Sequence, residues 1–214
     1  MRPICYILTL TLLVTLPCQG QSTFDTAKRE ADSLYNNMKF REAYDIYVSL
    51  LGSNEVKKDK EKKLEVLNDL CDVSDLTGHE IDQMQYLQQM LELSQAEGNS
   101  YYHSLGLMMM GKHLFYEGDR EQGISYVEQA IDMMEKTDRP NTDHLAHSQM
   151  NVLITLCREK DDLSKAVEVS ERNVRLTRQG TRWGSYPQVQ QQDRLHHRPA
   201  RSYRLEGLAR HAQR

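Results

Sequence analysis

At 214 residues, 39% of them hydrophobic and 27% charged, the chain has the length and composition of one sizeable globular domain. Its formal net charge of −4 conceals two opposed segments: residues 21 to 180 carry 19 basic against 29 acidic side chains, whereas Thr181 to Arg214 holds seven Arg against Asp193 and Glu206 alone. An acidic body argues against a phosphate-binding surface, and nucleic acid is not expected as its ligand.

The chain opens "MRPICYILTLTLLVTLPCQGQ", with one positive charge, an apolar run from Ile4 to Leu16, and then small residues. That layout predicts a secretory signal peptide over 1–20, because the run is too short for a membrane span, with cleavage after Gly20 leaving Gln21 first. Cys18 raises the alternative of a lipidated N-terminus, although Pro17 stands where a lipoprotein signal has Gly or Ala. An uncleaved anchor is the third reading. The product is expected in the periplasm or cell envelope.

From Ser22 to about Leu176 the pattern is helical almost throughout, with Gly and Pro confined to punctuation such as "LTGHE", "AEGNS" and "YEGDRE". Segments of this length predict helical hairpins rather than one long coiled coil. In chain order, "SLYNNMKFREAYDIYVSLL", "LTGHEIDQMQYLQQMLEL", "FYEGDREQGISYVEQAIDMM" and "CREKDDLSKAVEVSERN" repeat one layout, an apolar stripe after a short break. Aligned on the break, they place Met38, Gly78, Gly118 and Asp161 at intervals of 40, 40 and 43 residues, and Ala43, Gln83, Gly123 and Ala166 five further on. Upstream, a first helix presents Leu67, Leu70, Cys71 and Ser74 in one repeat, Leu107, Met110, Gly111 and Leu114 in the next, and Met150, Leu153, Ile154 and Cys157 in the last. A single hairpin cannot bury its apolar face, whereas four stacked ones share a continuous core.

These residues resemble tetratricopeptide repeat (TPR) proteins. Gly111, Leu114, Gly118, Gly123, Val127 and Ala130 fall on the small and apolar signature positions in "LMMMGKHLFYEGDREQGISYVEQAI". The resemblance covers about residues 23 to 178 and implies an all-α, right-handed solenoid of about four hairpins over 21–178. The period of about 40 exceeds the family's usual 34, so longer helices or loops are expected, with "NEVKKDKEKK" read as a solvated inter-repeat loop. Cys71 and Cys157, two repeats apart on inward stripes, are read as small buried apolar residues too distant for a disulfide.

Catalytic patterns are scarce. The sequence has no phosphate loop, no Gly-x-Ser-x-Gly elbow and no Cys-x-x-Cys pair, so no enzyme, cofactor or metal is expected. His144 and His147 lack the Cys or Glu that would complete a metal set and read as a solvated helix face, and Met108 to Met110 read as gap-filling core.

What remains is a binding surface. The resemblance implies a groove on the first helices, one step round from the core stripe: Tyr35, then Asn68 and Asp72, then Lys112 and Tyr116, then Asn151 and Arg158. Polar and aromatic residues of mixed charge suit a protein or peptide partner, or a glycan. The chain is expected to be an exported interaction scaffold similar to the periplasmic sensory region of bacterial two-component and transcriptional regulators. There, partner binding would alter repeat packing or homodimer contacts, and membrane attachment would come from a further C-terminal segment or lipidation. The alternative is a surface glycan-binding protein of the starch-utilisation type.

The ending, 179–214, carries no Lys although eleven occur before it, and interleaves Trp183, Tyr186 and Tyr203 with Arg. So abrupt a shift is read as frame-shifted or junction-derived sequence where a longer protein was cut, with a genuine disordered tail as the alternative.

Overall fold

The computed structural model describes residues 23–137 and 142–180, and every element among them is an α-helix. The expected signal segment 1–20 and the basic segment from Thr181 onward lie outside the described residues. The helices are α1 (Thr23–Asn36), α2 (Phe40–Gly52), α3 (Asn54–Lys58), α4 (Lys60–Thr77), α5 (Glu80–Ala96), α6 (Ser100–Glu117), α7 (Arg120–Glu135), α8 (Thr142–Glu159) and α9 (Leu163–Gly180). α9 thus runs past the expected domain boundary at residue 178. None of these helices is long and apolar enough to cross a membrane.

One turn builds every hairpin. Met38 (φ 62°), Gly78 (φ 76°), Gly118 (φ 112°) and Asp161 (φ 64°) all adopt the left-handed conformation that ends a helix. The amide after each closes back onto a carbonyl five residues earlier: Lys39 to Leu34 at 2.9 Å, His79 to Ser74 at 3.0 Å, Asp119 to Leu114 at 2.9 Å and Asp162 to Cys157 at 2.9 Å. That pairing satisfies the orphan carbonyls of the finished helix, and the donating residue then stands at the N-cap of the next. Asp119 and Asp162 cap with their side chains, accepting from the amides of Gln122 and Lys165. Met38 and Asp161 fill the left-handed position without glycine's freedom, at a cost of about 1 kcal/mol each.

The four hairpins α1/α2, α4/α5, α6/α7 and α8/α9 stack in chain order, each packing against the next. Helix length absorbs most of the excess over a 34-residue period: α4 and α5 have 18 and 17 residues, separated by the two-residue turn Gly78–His79. The expected solvated loop in "NEVKKDKEKK" is instead ordered. Ser53 caps the one-and-a-half turns of α3, Val56 is wholly buried, and Asp59 caps α4 by accepting from the amides of Glu61 and Lys62. Burying Val56 against the first hairpin is what converts this charged run from loop to helix.

The core is a series of overlapping clusters. Leu64, Leu67, Cys71, Leu87 and Met90 fill the second hairpin and receive Leu51 from the first and Met109 and Met110 from the third. Met150, Leu153, Leu156 and Cys157 of α8 pack on Ile124, Val127 and Ile131 of α7 and on Ala166 and Val169 of α9. Each fully buried Leu or Ile stabilises the fold by about 1.5–3 kcal/mol. Cys71 and Cys157 are both buried free thiols, and burial pushes each above the ordinary thiol range. α6 departs from the expected stripe: Leu105, Met108 and Phe115 are buried, whereas Met110 and Leu114 are half-buried. This helix is covered by α5 and α7 and also touches α4 and α8, so it has apolar contacts nearly all round.

α6 and α7 approach closely at a pair of facing glycines. A Cβ on Gly111 would stand 2.6 Å from the carbonyl oxygen of Gly123, and one on Gly123 would stand 2.6 Å from that of Gly111. Neither position admits a side chain without parting the two backbones.

Candidate functional site

Successive first helices approach one another, α4 meeting α6 and α6 meeting α8, so these helices form the inner face of the stack. Along α1, α4 and α6 this face opens into a cleft of about 720 Å³, which Tyr47 of α2 also lines.

The wall between α1 and α4 is a charged cluster. Lys28 Nζ lies 2.7 Å from Asp32, 3.4 Å from Glu65 and 3.0 Å from Asp69, the last as an ion pair short of an aligned hydrogen bond. The Tyr47 hydroxyl donates to Asp32 Oδ1 at 2.7 Å, and the Lys28 ammonium sits 5.6 Å from the centroid of the Tyr47 ring. Burial opposes the charge on Lys28, but Asp69, Asp32 and Glu65 together overcome it and hold the ammonium above the ordinary lysine value. Burial likewise drives Asp69 upward, and although Lys28 pulls it down, Asp32 and Glu65 push the same way as burial, leaving it at about 7. One ammonium therefore serves three carboxylates, and the cleft retains unbalanced negative charge.

That imbalance has a measurable consequence. Because Asp69 binds its proton more tightly when folded than at the ordinary value of 3.8, its contribution to stability is full below that value and is lost as pH rises through about 7. Urea denaturation at about pH 5 and about pH 8 is expected to show wild type losing more stability across this interval than Asp69→Asn. Parallel losses in the two proteins would contradict the assignment.

The remaining wall is aromatic and amide. Tyr101 and Tyr102 open α6, where Asn99 caps the helix by accepting from the amide of Tyr102, and their rings meet edge to face at 5.3 Å. Burial, reinforced by Asp72, raises Tyr101 above the ordinary phenol value, and burial raises Tyr102 too, so both hydroxyls stay protonated donors. Asn68 lines the cleft, but its Oδ1 is buried without a hydrogen-bond partner among the described residues.

Three of the seven sequence-derived groove residues meet in this cleft: Tyr35 from α1, and Asn68 and Asp72 from α4. The other four lie farther along the stack. Lys112 is half-buried on α6, and the hydroxyl of Tyr116 donates to Glu159 Oε1 of α8 at 3.3 Å, with burial and then Glu159 pushing the phenol up to about 12. Asn151 accepts from Asn173 Nδ2 at 3.0 Å and stands 3.3 Å from His147 Nε2, so its amide serves the α8–α9 contact. Arg158 is exposed. His147 corrects the reading of a solvated histidine face: it is half-buried, with Nδ1 2.6 Å from Asn173 Oδ1. Among the described residues no three His, Cys, Asp or Glu side chains gather as metal ligands.

Lys28, Asp32, Glu65, Asp69, Tyr101 and Tyr102 join the cleft without having been expected from sequence. The available signal was polar spacing on a first helix, with Lys28 and Asp32, and Glu65, Asp69 and Asp72, recurring at three or four residues on one side.

No family model and no curated protein matches the chain. Among solved structures, it is similar to the TPR-like repeats of a Podosopora anserina protein described as a kinesin light chain, with 17% identity over 89% of this chain and 90% of that one, at a TM-score of 0.57. A single-substitution variant of that protein matches with 16% identity over 89% of both chains, at a TM-score of 0.58. The fold is a TPR-like solenoid. At these identities the likeness speaks for fold, and in this TPR-like chain the cleft is formed by first helices of three successive hairpins.

Proposed function

We propose that the chain is an exported, non-enzymatic interaction scaffold whose inner cleft binds an extended peptide of a partner protein through a cationic side chain. The observation that carries the reading is the cleft between α1, α4 and α6, whose lining sets Asp32, Glu65, Asp69 and Asp72 against Lys28 and Arg29. A guanidinium brings N–H donors in a planar fork to a wall rich in carboxylate acceptors, whereas a polyanion would meet repulsion. Export rests on the opening 20 residues, and placement in an envelope signalling protein rests on the resemblance of signal plus helical repeats to sensor regions. A glycan is the second reading, favoured by the paired rings of Tyr101 and Tyr102 beside Asn68.

Fluorescence polarisation with labelled arginine-bearing peptides tests the reading. Binding is expected to weaken at higher salt and to fall at least about tenfold in Asp72→Lys, roughly the worth of one charge-assisted contact. Retention of neutral oligosaccharides, with no binding of cationic peptides, would favour the glycan instead.

A further inference from the structure

One cation is set against three acids by the spacing of two helices. Lys28 and Asp32 stand one turn apart on α1, and Glu65 and Asp69 one turn apart on α4, so the approach of α1 to α4 brings all three carboxylates within 3.4 Å of Lys28 Nζ. They are not served equally. Asp32 Oδ1 accepts from Lys28 at 2.7 Å and from the Tyr47 hydroxyl at 2.7 Å. The Glu65 side chain is 41% exposed and keeps water. Asp69 is 20% exposed, and its Oδ2 is buried, 3.0 Å from Nζ without an aligned hydrogen bond. Crowded carboxylates that one ammonium cannot neutralise take up a proton, and it settles on the least supported of them, Asp69, at about 7.

The groups around Asp69 leave that proton exchangeable. α1 also presents Tyr35 and Arg29, the latter with its Nε donating to the Asp25 carbonyl at 3.1 Å, and α4 adds Asp72, one turn from Asn68. From α2 comes Tyr47, and from α6 come Tyr101 and Tyr102, three phenols that burial holds above their ordinary value and therefore protonated. α5 meets α4 through Leu87 and Met90 and adds no lining residue. Asp69 itself lines the cleft, so a proton and an incoming cation compete for one carboxylate.

Resting on the reading of this cleft as a site for a cationic side chain, we propose that capture is a proton exchange, in which the ligand's guanidinium replaces the proton on Asp69 as the neutraliser of the cluster. The carboxyl gives its proton to solvent and the resulting carboxylate accepts from the guanidinium, so net charge in the cleft is conserved. Deprotonation favours the ligand and protonation expels it. The cleft therefore fills as pH rises through neutrality and empties in acid.

Isothermal titration calorimetry of the full chain tests the coupling, with a peptide whose termini are blocked and whose one ionisable residue is arginine, so that the ligand does not titrate. Wild type is expected to bind about tenfold more tightly at pH 8 than at pH 6, and to release about half a proton per peptide at pH 7, read from buffers of different ionisation enthalpy. Asp69→Asn, which copies the protonated form, should bind equally at both pH values, near the acid affinity of wild type. Asp72→Asn should bind more weakly at both and keep the tenfold difference. The proton count needs no variant, so the proposal stays exposed even where a substitution disturbs the fold. Binding without a pH difference or proton release, or a pH difference that survives Asp69→Asn, would overturn the coupling alone. No binding at either pH would overturn the peptide reading and the coupling with it.

Discussion

Lys28→Met is expected to lower folding stability by about 3–5 kcal/mol, the loss that follows when one partner is taken from a buried ionic cluster. The Lys28 side chain is only 12% exposed and is the cation within 3.4 Å of Asp32, Glu65 and Asp69. Methionine keeps the length and apolar stem, so packing against Tyr47 survives and the change isolates the charge. Three carboxylates would then face one another across α1 and α4. Relief comes in part from proton uptake by Asp69, already held at about 7, so the loss should shrink in acid. Lys28→Arg, which keeps the charge, should retain most of the stability. Because stacked repeats unfold through neighbour interfaces, hydrogen exchange should place the damage in α1 and α2 first. A loss below about 1 kcal/mol at neutral pH would show that the cluster is solvent-screened rather than buried.

Gly123→Val is expected to be comparably severe, at about 3 kcal/mol or more, by overpacking rather than by charge. The new Cβ would stand 2.6 Å from the Gly111 carbonyl oxygen and 2.7 Å from the Phe115 amide nitrogen. Both obstacles are backbone, so no rotamer change accommodates them and α6 must part from α7. That displacement would open the core where Phe115 meets Ile124 and Val127. Gly52→Ala is the matched control: a Cβ there meets nothing within 4 Å, and stability should change by no more than about 0.5 kcal/mol. Thermal denaturation of the two variants beside wild type decides the matter, and equal melting temperatures would contradict the close α6–α7 approach.

The hairpin turns are legible in the sequence because their chemistry is local. Gly78 and Gly118 announce a left-handed helix end by composition, and Met38 and Asp161 emerge only because a forty-residue period points at them. The stripe of α4, with Leu67, Leu70, Cys71 and Ser74 all buried, is equally plain, since that helix presents a clear inner side. α6 misleads because burial on several sides erases the helical period, so Met110 and Leu114 look as internal as Leu105 and Phe115. The α3 segment is hidden beneath its lysines: one buried Val56 outweighs a charged surface that periodicity reads as loop.

The cleft is half legible for a related reason. Tyr35, Asn68 and Asp72 follow from counting one step round the first helices. The Lys28 cluster does not, because a buried lysine is written in the same letters as an exposed one, and only the approach of α1 to α4 brings Glu65 and Asp69 to it. Asn151 satisfies the same count yet turns to Asn173 and His147, since the α8–α9 contact offers its amide nearer partners.

Whether the inner face is the working surface is measured most directly by hydrogen exchange with and without a saturating arginine-bearing peptide. Added protection confined to α1, α4 and the start of α6 is the predicted result. Protection confined to α2, α5 and α7, the helices on the other side of the stack, would contradict it.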